Sequence, residues 1–236
     1  APEFYRRLAN AKELPTTSRP VPTDTVDLFQ RARDETDAEA VVVLTVSADV
    51  SGTVSSVQQA QKELDFPIYL YDTRTISLAL GLTVLKVADA RDAGASAEEA
   101  IELGKTLAQN SHAFFSPSTL EYLHRGGRIG GAAHLLGTAL SIKPILTLKD
   151  GRVEALESVR TCKRAINRMI DLAAENVDSA KALDIGVVQG KVEQEAAESA
   201  AGIKERLNPD LLVESWVGAS IGVHAGPGVI GVLMVQ

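Results

Sequence analysis

A single cysteine, Cys162, in a chain of 236 residues excludes an internal disulfide and any zinc or iron–sulfur site built on thiolates. Its place beside Lys163 and Arg164 at the start of a helical stretch fits packing better than reactivity. Cysteine usage this sparse points to the cytosol. Apolar runs of roughly 18 residues are absent, and Ala1 to Arg7 carries no secretory core, so the chain reads as soluble, untargeted and without membrane insertion. There is no excess of basic charge: the formal net charge is −7, which argues against nucleic acid as a ligand. His112, His124, His134 and His224 have no metal-type spacing, so no metal is expected. No G-x-x-x-x-G-K phosphate loop occurs, so nucleotide would have to come from another protein. Aromatic residues make up only 4% of the chain, which leaves aliphatic side chains to line any cavity.

What is present is an alternation of helical and strand patterns, with 45% apolar residues, enough for one large core or two modest ones. A helix over residues 2–11 leads into the loop Leu14 to Pro22, whose three prolines forbid regular helix. A helix near residues 23–35 precedes Val41 to Val46, a continuous apolar run suited to a strand buried on both faces. Ser47 to Thr53 then hands over to a helix ending near Leu64 and a strand at Ile68 to Tyr71, which together form a parallel βαβ unit. Two helices follow, the second opening with the capping box Ser96-Ala97-Glu98-Glu99. Ala113-Phe114-Phe115 begins another strand, and the boundary between two α/β domains falls near residue 111.

The second half contains a helical turn at Ser118 to Glu121, the glycine-rich Arg125 to Gly131 and another helix. Two strands, Ile142 to Leu148 and Val153 to Val159, flank Asp150-Gly151, a strong hairpin signal. A helix from Thr161, a strand at Ile185 to Val188, a helix to Leu207 and a strand at Leu211 to Val217 precede the glycine-rich end. The expected fold is thus a parallel-sheet α/β/α domain, residues 1–111, and a second α/β domain with a mixed sheet, residues 112–236.

Two motifs near the end mislead. Gly218-Ala219-Ser220-Ile221-Gly222 matches a hydrolase nucleophile elbow, but no acidic residue follows Ser220 and no room for a helix is expected there. Gly226-Pro227-Gly228-Val229-Ile230-Gly231 matches a dinucleotide fingerprint, but the helix and acidic residue it requires do not follow.

Other positions admit two readings each. Ser51-Gly52-Thr53 lies between a buried strand and a helix, where Ser51 either caps the helix or joins free N–H groups in binding an anion. Thr16-Thr17-Ser18 is either a solvated turn or a set of donors. Arg128, flanked by glycines, either satisfies helix-end carbonyls or meets an anion or a partner protein. His224 by itself reads as a core or turn histidine.

Taken in order, five segments resemble the DegV family: Thr17-Ser18-Arg19-Pro20, Ser51-Gly52-Thr53-Val54-Ser55-Ser56, Leu120 to Ile129 with Gly126-Gly127-Arg128-Ile129, Ile142 to Leu146 followed by Asp150-Gly151, and His224-Ala225-Gly226-Pro227-Gly228. Members of that family bind long-chain fatty acids and include the FakB subunits of bacterial fatty acid kinase. Arg19 stands where the family usually has Gln, Val21 where it has Ser, Gly130 where Ser follows the G-G-R-I segment, and Ala225 where Thr is frequent. The family's first strand, with its T-D-S-x-x-D type motif, has no match here, so part of the first sheet is expected to be missing.

The resemblance implies that Thr17, Ser18, Ser51, Gly52, Thr53 and His224 bind the ligand, with Thr17, Ser51 and His224 on the carboxylate and Arg128 on a partner surface. A buried carboxylate needs several converging donors, because a helix dipole supplies only about 0.3–1 kcal/mol. A tail of about 15 methylenes at roughly 0.8 kcal/mol each contributes on the order of 10 kcal/mol before ordering costs. The implied function is to hold a fatty acid between the domains and present its carboxylate to an ATP-binding kinase subunit of the dihydroxyacetone kinase type. No cofactor and no stand-alone catalysis are expected. The competing readings are a lipid ester hydrolase using Ser51 and His224, and a lipid-responsive regulator.

Overall fold

The computed structural model describes residues 1–137 and 142–236. Helices α1 (Pro2–Ala9) and α2 (Pro22–Thr36) both start on proline, whose missing N–H would be unpaired there in any residue. Between them, residues 10–21 form no helix or strand, as Pro15 and Pro20 require. Strands β1 (Val41–Thr45) and β2 (Ile68–Asp72) pair in parallel, Val41 opposite Ile68, across helix α3 (Thr53–Ala60). Helix α4 (Ser77–Asp92) packs on strands of both sheets, and α5 (Ala97–Gln109) opens with the expected capping box. Ser96 Oγ accepts from the Glu99 N–H at 3.2 Å, and the Glu99 carboxylate accepts from the Ser96 N–H at 2.8 Å.

The larger sheet is mixed and has six strands among the described residues: β3 (Ser111–Ser116), β4 (Lys143–Lys149), β5 (Arg152–Val159), β6 (Asp184–Gln189), β7 (Leu211–Trp216) and β8 (Ile230–Val235). Their order is β5-β4-β3-β8-β6-β7, with only the β6–β7 pair parallel. The β4–β5 hairpin turns at Asp150 and Gly151, whose φ angles of 51° and 80° are the two positive values that this tight turn demands. Between β3 and β4 lie the short helix α6 (Glu121–Arg125) and a 3-10 helix at Gly130–Leu135, where another helix is expected from the sequence. Helices α7 (Cys162–Glu175) and α8 (Glu193–Leu207) cover one face of the sheet, and α9 (Ala219–Ala225) joins β7 to β8.

Strand alternation then decides where the core ends and the cavity begins. Phe114, Ile185, Val187, Ile230, Val232 and Met234 point into the core beneath α7 and α8. Their neighbours Ala113, Phe115, Val188 and Leu233 point to the opposite face, toward α4 and the first half. Cys162 packs on the α7–α8 core, and burial pushes its thiol pKa up, which suits a packing residue.

Two elements correct the sequence reading. Strand β8, fully buried and paired on both sides, occupies the stretch read only as a glycine-rich end. Helix α9 fills the place where no room for a helix was expected after Ser220. Its internal Gly222 lowers helix propensity, but a methyl there would lie 2.7 Å from Tyr5 Oη and 2.8 Å from Phe4. Docking of α1, with Tyr5 Oη donating to the Val217 carbonyl at 2.9 Å, overrides the local preference. No helix among the described residues is long and apolar enough to cross a membrane.

Candidate lipid cavity

A cavity of about 860 Å³ opens between the inner face of the six-stranded sheet and the first half of the chain, a volume within the usual range for small-molecule sites. Ala113, Phe115, Val188 and Leu233 form its sheet wall. Val46, Val50, Ile76 and Leu80 form the facing wall, and Leu123, Val153, Val217 and Ile221 close the sides. Thr17, Ser18, Ser51, Gly52, Thr53, Arg128 and His224 all line this one cavity, together with Arg19, Asp24, Ser77 and Ser220. Residues more than 200 positions apart in sequence therefore share one surface.

The Ser51 loop is built as an extension of β1. Ser47 N donates to the Thr75 carbonyl at 3.0 Å, and Val50 N and Ser51 N both return to the Ser47 carbonyl. The Asp72 carboxylate accepts from the Ala48 N–H, and Ser47 Oγ donates to the Gly151 carbonyl at 2.8 Å. The cap of α3 is Gly52 rather than Ser51, which corrects the capping alternative. Ser51 Oγ accepts from Thr53 N at 3.3 Å and lies 2.8 Å from Thr53 Oγ1. With Thr53 as donor in that second contact, the Ser51 hydrogen is free for a ligand.

Thr17 is joined to His224 across the cavity, Oγ1 to Nε2 at 2.8 Å. His224 Nδ1 is buried without a hydrogen-bond partner among the described residues and faces Gly126, where a methyl would sit 2.2 Å away. Because an orphaned buried donor is rarer than an orphaned acceptor, we assign the hydrogen to Nε2. His224 then donates to Thr17, and the Thr17 hydroxyl hydrogen points elsewhere, available to an anion. Burial, and then the positive charge of Arg128, holds the His224 pKa below its ordinary value and keeps the ring neutral.

Among the described residues, the two arginines on the lining have only neutral partners. Arg19 lays its methylenes over Gly52, within 3.0–3.6 Å of where a Cβ would be, and Nη1 donates to Ser55 Oγ at 3.0 Å. Arg128 Nε donates to the Val50 carbonyl at 3.1 Å and Nη1 to the Gly126 carbonyl at 2.7 Å. Arg128 thus combines the carbonyl-satisfying reading with a place on the cavity surface. Ser18 lines the cavity but makes no side-chain hydrogen bond there among the described residues.

Sequence reasoning missed two supports of the site. Gly126 must lack a side chain to admit the His224 ring, and its neighbouring glycines disguise that individual role. Asp49 receives Arg152 Nε at 2.8 Å and faces Arg74 at 3.6 Å, tying the Ser51 loop to the β4–β5 hairpin. The strand–turn–helix context of a nucleophile elbow does exist around Ser220. The hydrolase reading nevertheless lacks support, since His224 is bonded to Thr17 rather than to Ser51 or Ser220 and no carboxylate among the described residues orients its Nδ1.

A family profile described as an uncharacterised protein of the DegV family matches residues 1–236. A DegV domain-containing protein of Streptomyces coelicolor is 40% identical over 221 residues, covering 93% of this chain and 78% of that protein. A fatty-acid-binding DegV family protein of Thermus thermophilus superposes with a TM-score of 0.93 at 32% identity, over 100% of this chain and 84% of its own. DegV of Bacillus subtilis, described as a fatty acid binding protein, gives 0.89 at 30% identity, over 99% and 83%. On these matches the chain belongs to the DegV family.

Proposed function

We propose that the protein holds a long-chain fatty acid between its two halves, residues 1–111 and 112–236, with the tail in the apolar cavity and the carboxylate at Thr17, Ser51 and His224. The observation that carries this reading is the union, on one cavity surface, of an aliphatic wall with the Thr17 and Ser51 hydroxyls, whose hydrogens the tautomer and donor assignments above leave to a ligand. Solved relatives that bind fatty acids support it. A carboxylate there would accept from the Thr17 and Ser51 hydroxyls and from backbone N–H groups near Gly52, while the neutral His224 holds Thr17 in place. The arrangement binds and orients the acid but offers no activated nucleophile, so we read the chain as a lipid-binding subunit rather than a stand-alone enzyme.

The finer part of the proposal is that the bound carboxylate is presented to an ATP-dependent kinase subunit of the dihydroxyacetone kinase type, in the cytoplasm. Arg128 is assigned to that docking event, since Val50 and Gly126 fix its guanidinium without neutralising it. In a paired assay, Arg128→Ala should keep fatty acid affinity within about threefold and reduce acyl phosphate formation with kinase and ATP by at least about tenfold, the loss of one preorganised charged contact. A fall in lipid affinity as large as that of Ser51→Ala would move Arg128 from partner surface to ligand site.

A further inference from the structure

Arg19 places a permanent positive charge on the cavity surface that the carboxylate reading does not use. Its stem is pinned over Gly52 and its guanidinium is held by Ser55 Oγ, a neutral group. Asp24 is the single carboxylate lining the cavity among the described residues, and the partners that these residues give Arg19 and Arg128 are Ser55 and two backbone carbonyls rather than Asp24. A guanidinium offers five donors in a planar fork, and only one of Arg19's is engaged by the contact to Ser55. The remaining fork suits an oxyanion with several oxygens. The loop that carries Arg19 also carries Thr17, so a group bound by Arg19 adjoins the lipid head group.

We propose that Arg19 makes the cavity selective for a lipid whose head group carries a phosphoryl group, binding the phosphoryl oxygens while the chain occupies the same apolar walls. The inference rests on the fatty acid reading of the cavity and deepens it. A phosphate monoester is close to dianionic near pH 8, so it gains more than a carboxylate from the added cation.

The test is a competition titration of hexadecyl phosphate against hexadecanoate, two probes of equal chain length, on the full chain at about pH 8. The wild-type protein should prefer the phosphate by at least about fivefold, and Arg19→Gln should reduce that preference to within about twofold, the ratio of the two probes cancelling any loss that release of the Arg19–Ser55 tie imposes on both. Arg19→Lys, which keeps the charge but loses the fork, should fall between them. An unchanged ratio in Arg19→Gln, or a wild-type protein without the preference, overturns the inference and leaves the fatty acid reading intact. Failure of wild type to bind either probe removes both.

Discussion

The two loops that bring hydroxyls to the cavity are held in opposite ways. The Ser51 loop is fixed by backbone bonds to Ser47 and Thr75, by the Asp72 carboxylate and by the hairpin carbonyl of Gly151, none of which would touch a ligand. The Thr17 loop is tied down by Thr17 to His224, Arg19 to Ser55 and Ser56 Oγ to the Pro20 carbonyl, and each of those ties has a residue that lines the cavity at one end or both. One loop is a preorganised platform, and the other is ordered by the site it completes. The difference teaches that a change at Ser51 leaves the backbone ties of its loop in place and loses only local contacts to Thr53, whereas a change at Thr17 removes one of the ties that order its loop.

The largest expected effect comes from Gly126→Ala, which strikes the residue joining the two sides. Its backbone φ of −77° accepts alanine, so the cost comes from the methyl, placed 2.2 Å from His224 Nδ1 and 3.0 Å from the Tyr122 carbonyl oxygen. Displacing that ring releases Thr17, and overpacking should cost about 1–3 kcal/mol of stability. Urea titration and lipid titration should both report the loss. Unaltered values in both would show that His224 does not staple the Thr17 loop.

Next come Ser51→Ala and Thr17→Ala, each expected to weaken fatty acid binding by about 1–3 kcal/mol through loss of a buried partner. Only Thr17→Ala should also make residues 10–21 more sensitive to limited proteolysis. Equal protease sensitivity in both variants would erase the contrast between the loops.

Acidification gives the smallest effect. Burial, chiefly, keeps the folded pKa of His224 below the ordinary histidine value of about 6.5, so the neutral ring is the form that the fold favours. The stabilisation is full above the unfolded pKa and is lost as pH falls from about 6.5 through the depressed folded value. His112 is depressed by burial in the same direction and adds to the slope. The pH dependence of thermal unfolding should therefore be shallower in His224→Asn than in wild type below about pH 6.5. An identical slope in both proteins would assign the effect to His112.

Much of the site is legible in the sequence because its residues sit in short local patterns: Ser51-Gly52-Thr53 at a strand end, Asp150-Gly151 between two strands, His224 before a glycine-rich turn. Their convergence is not legible, since Thr17 and His224 meet only through the docking of both halves. Helix α9 was hidden by Gly222, whose role is set by Tyr5 from the other end of the chain. Strand β8 was hidden by the adjacent Gly226-Pro227-Gly228, although the run Val229 to Val235 carries the apolar signature of a strand buried on both faces. The Gly126 contact with His224 has no local signal at all.

Native mass spectrometry of the purified full chain, followed by release and identification of the bound lipid, tests the central claim most directly. The account predicts one long-chain fatty acid per chain in the wild-type protein and a clear loss of occupancy in Ser51→Ala. A wild-type protein that stays empty after incubation with excess hexadecanoate, or a Ser51→Ala variant loaded as fully as wild type, would contradict it.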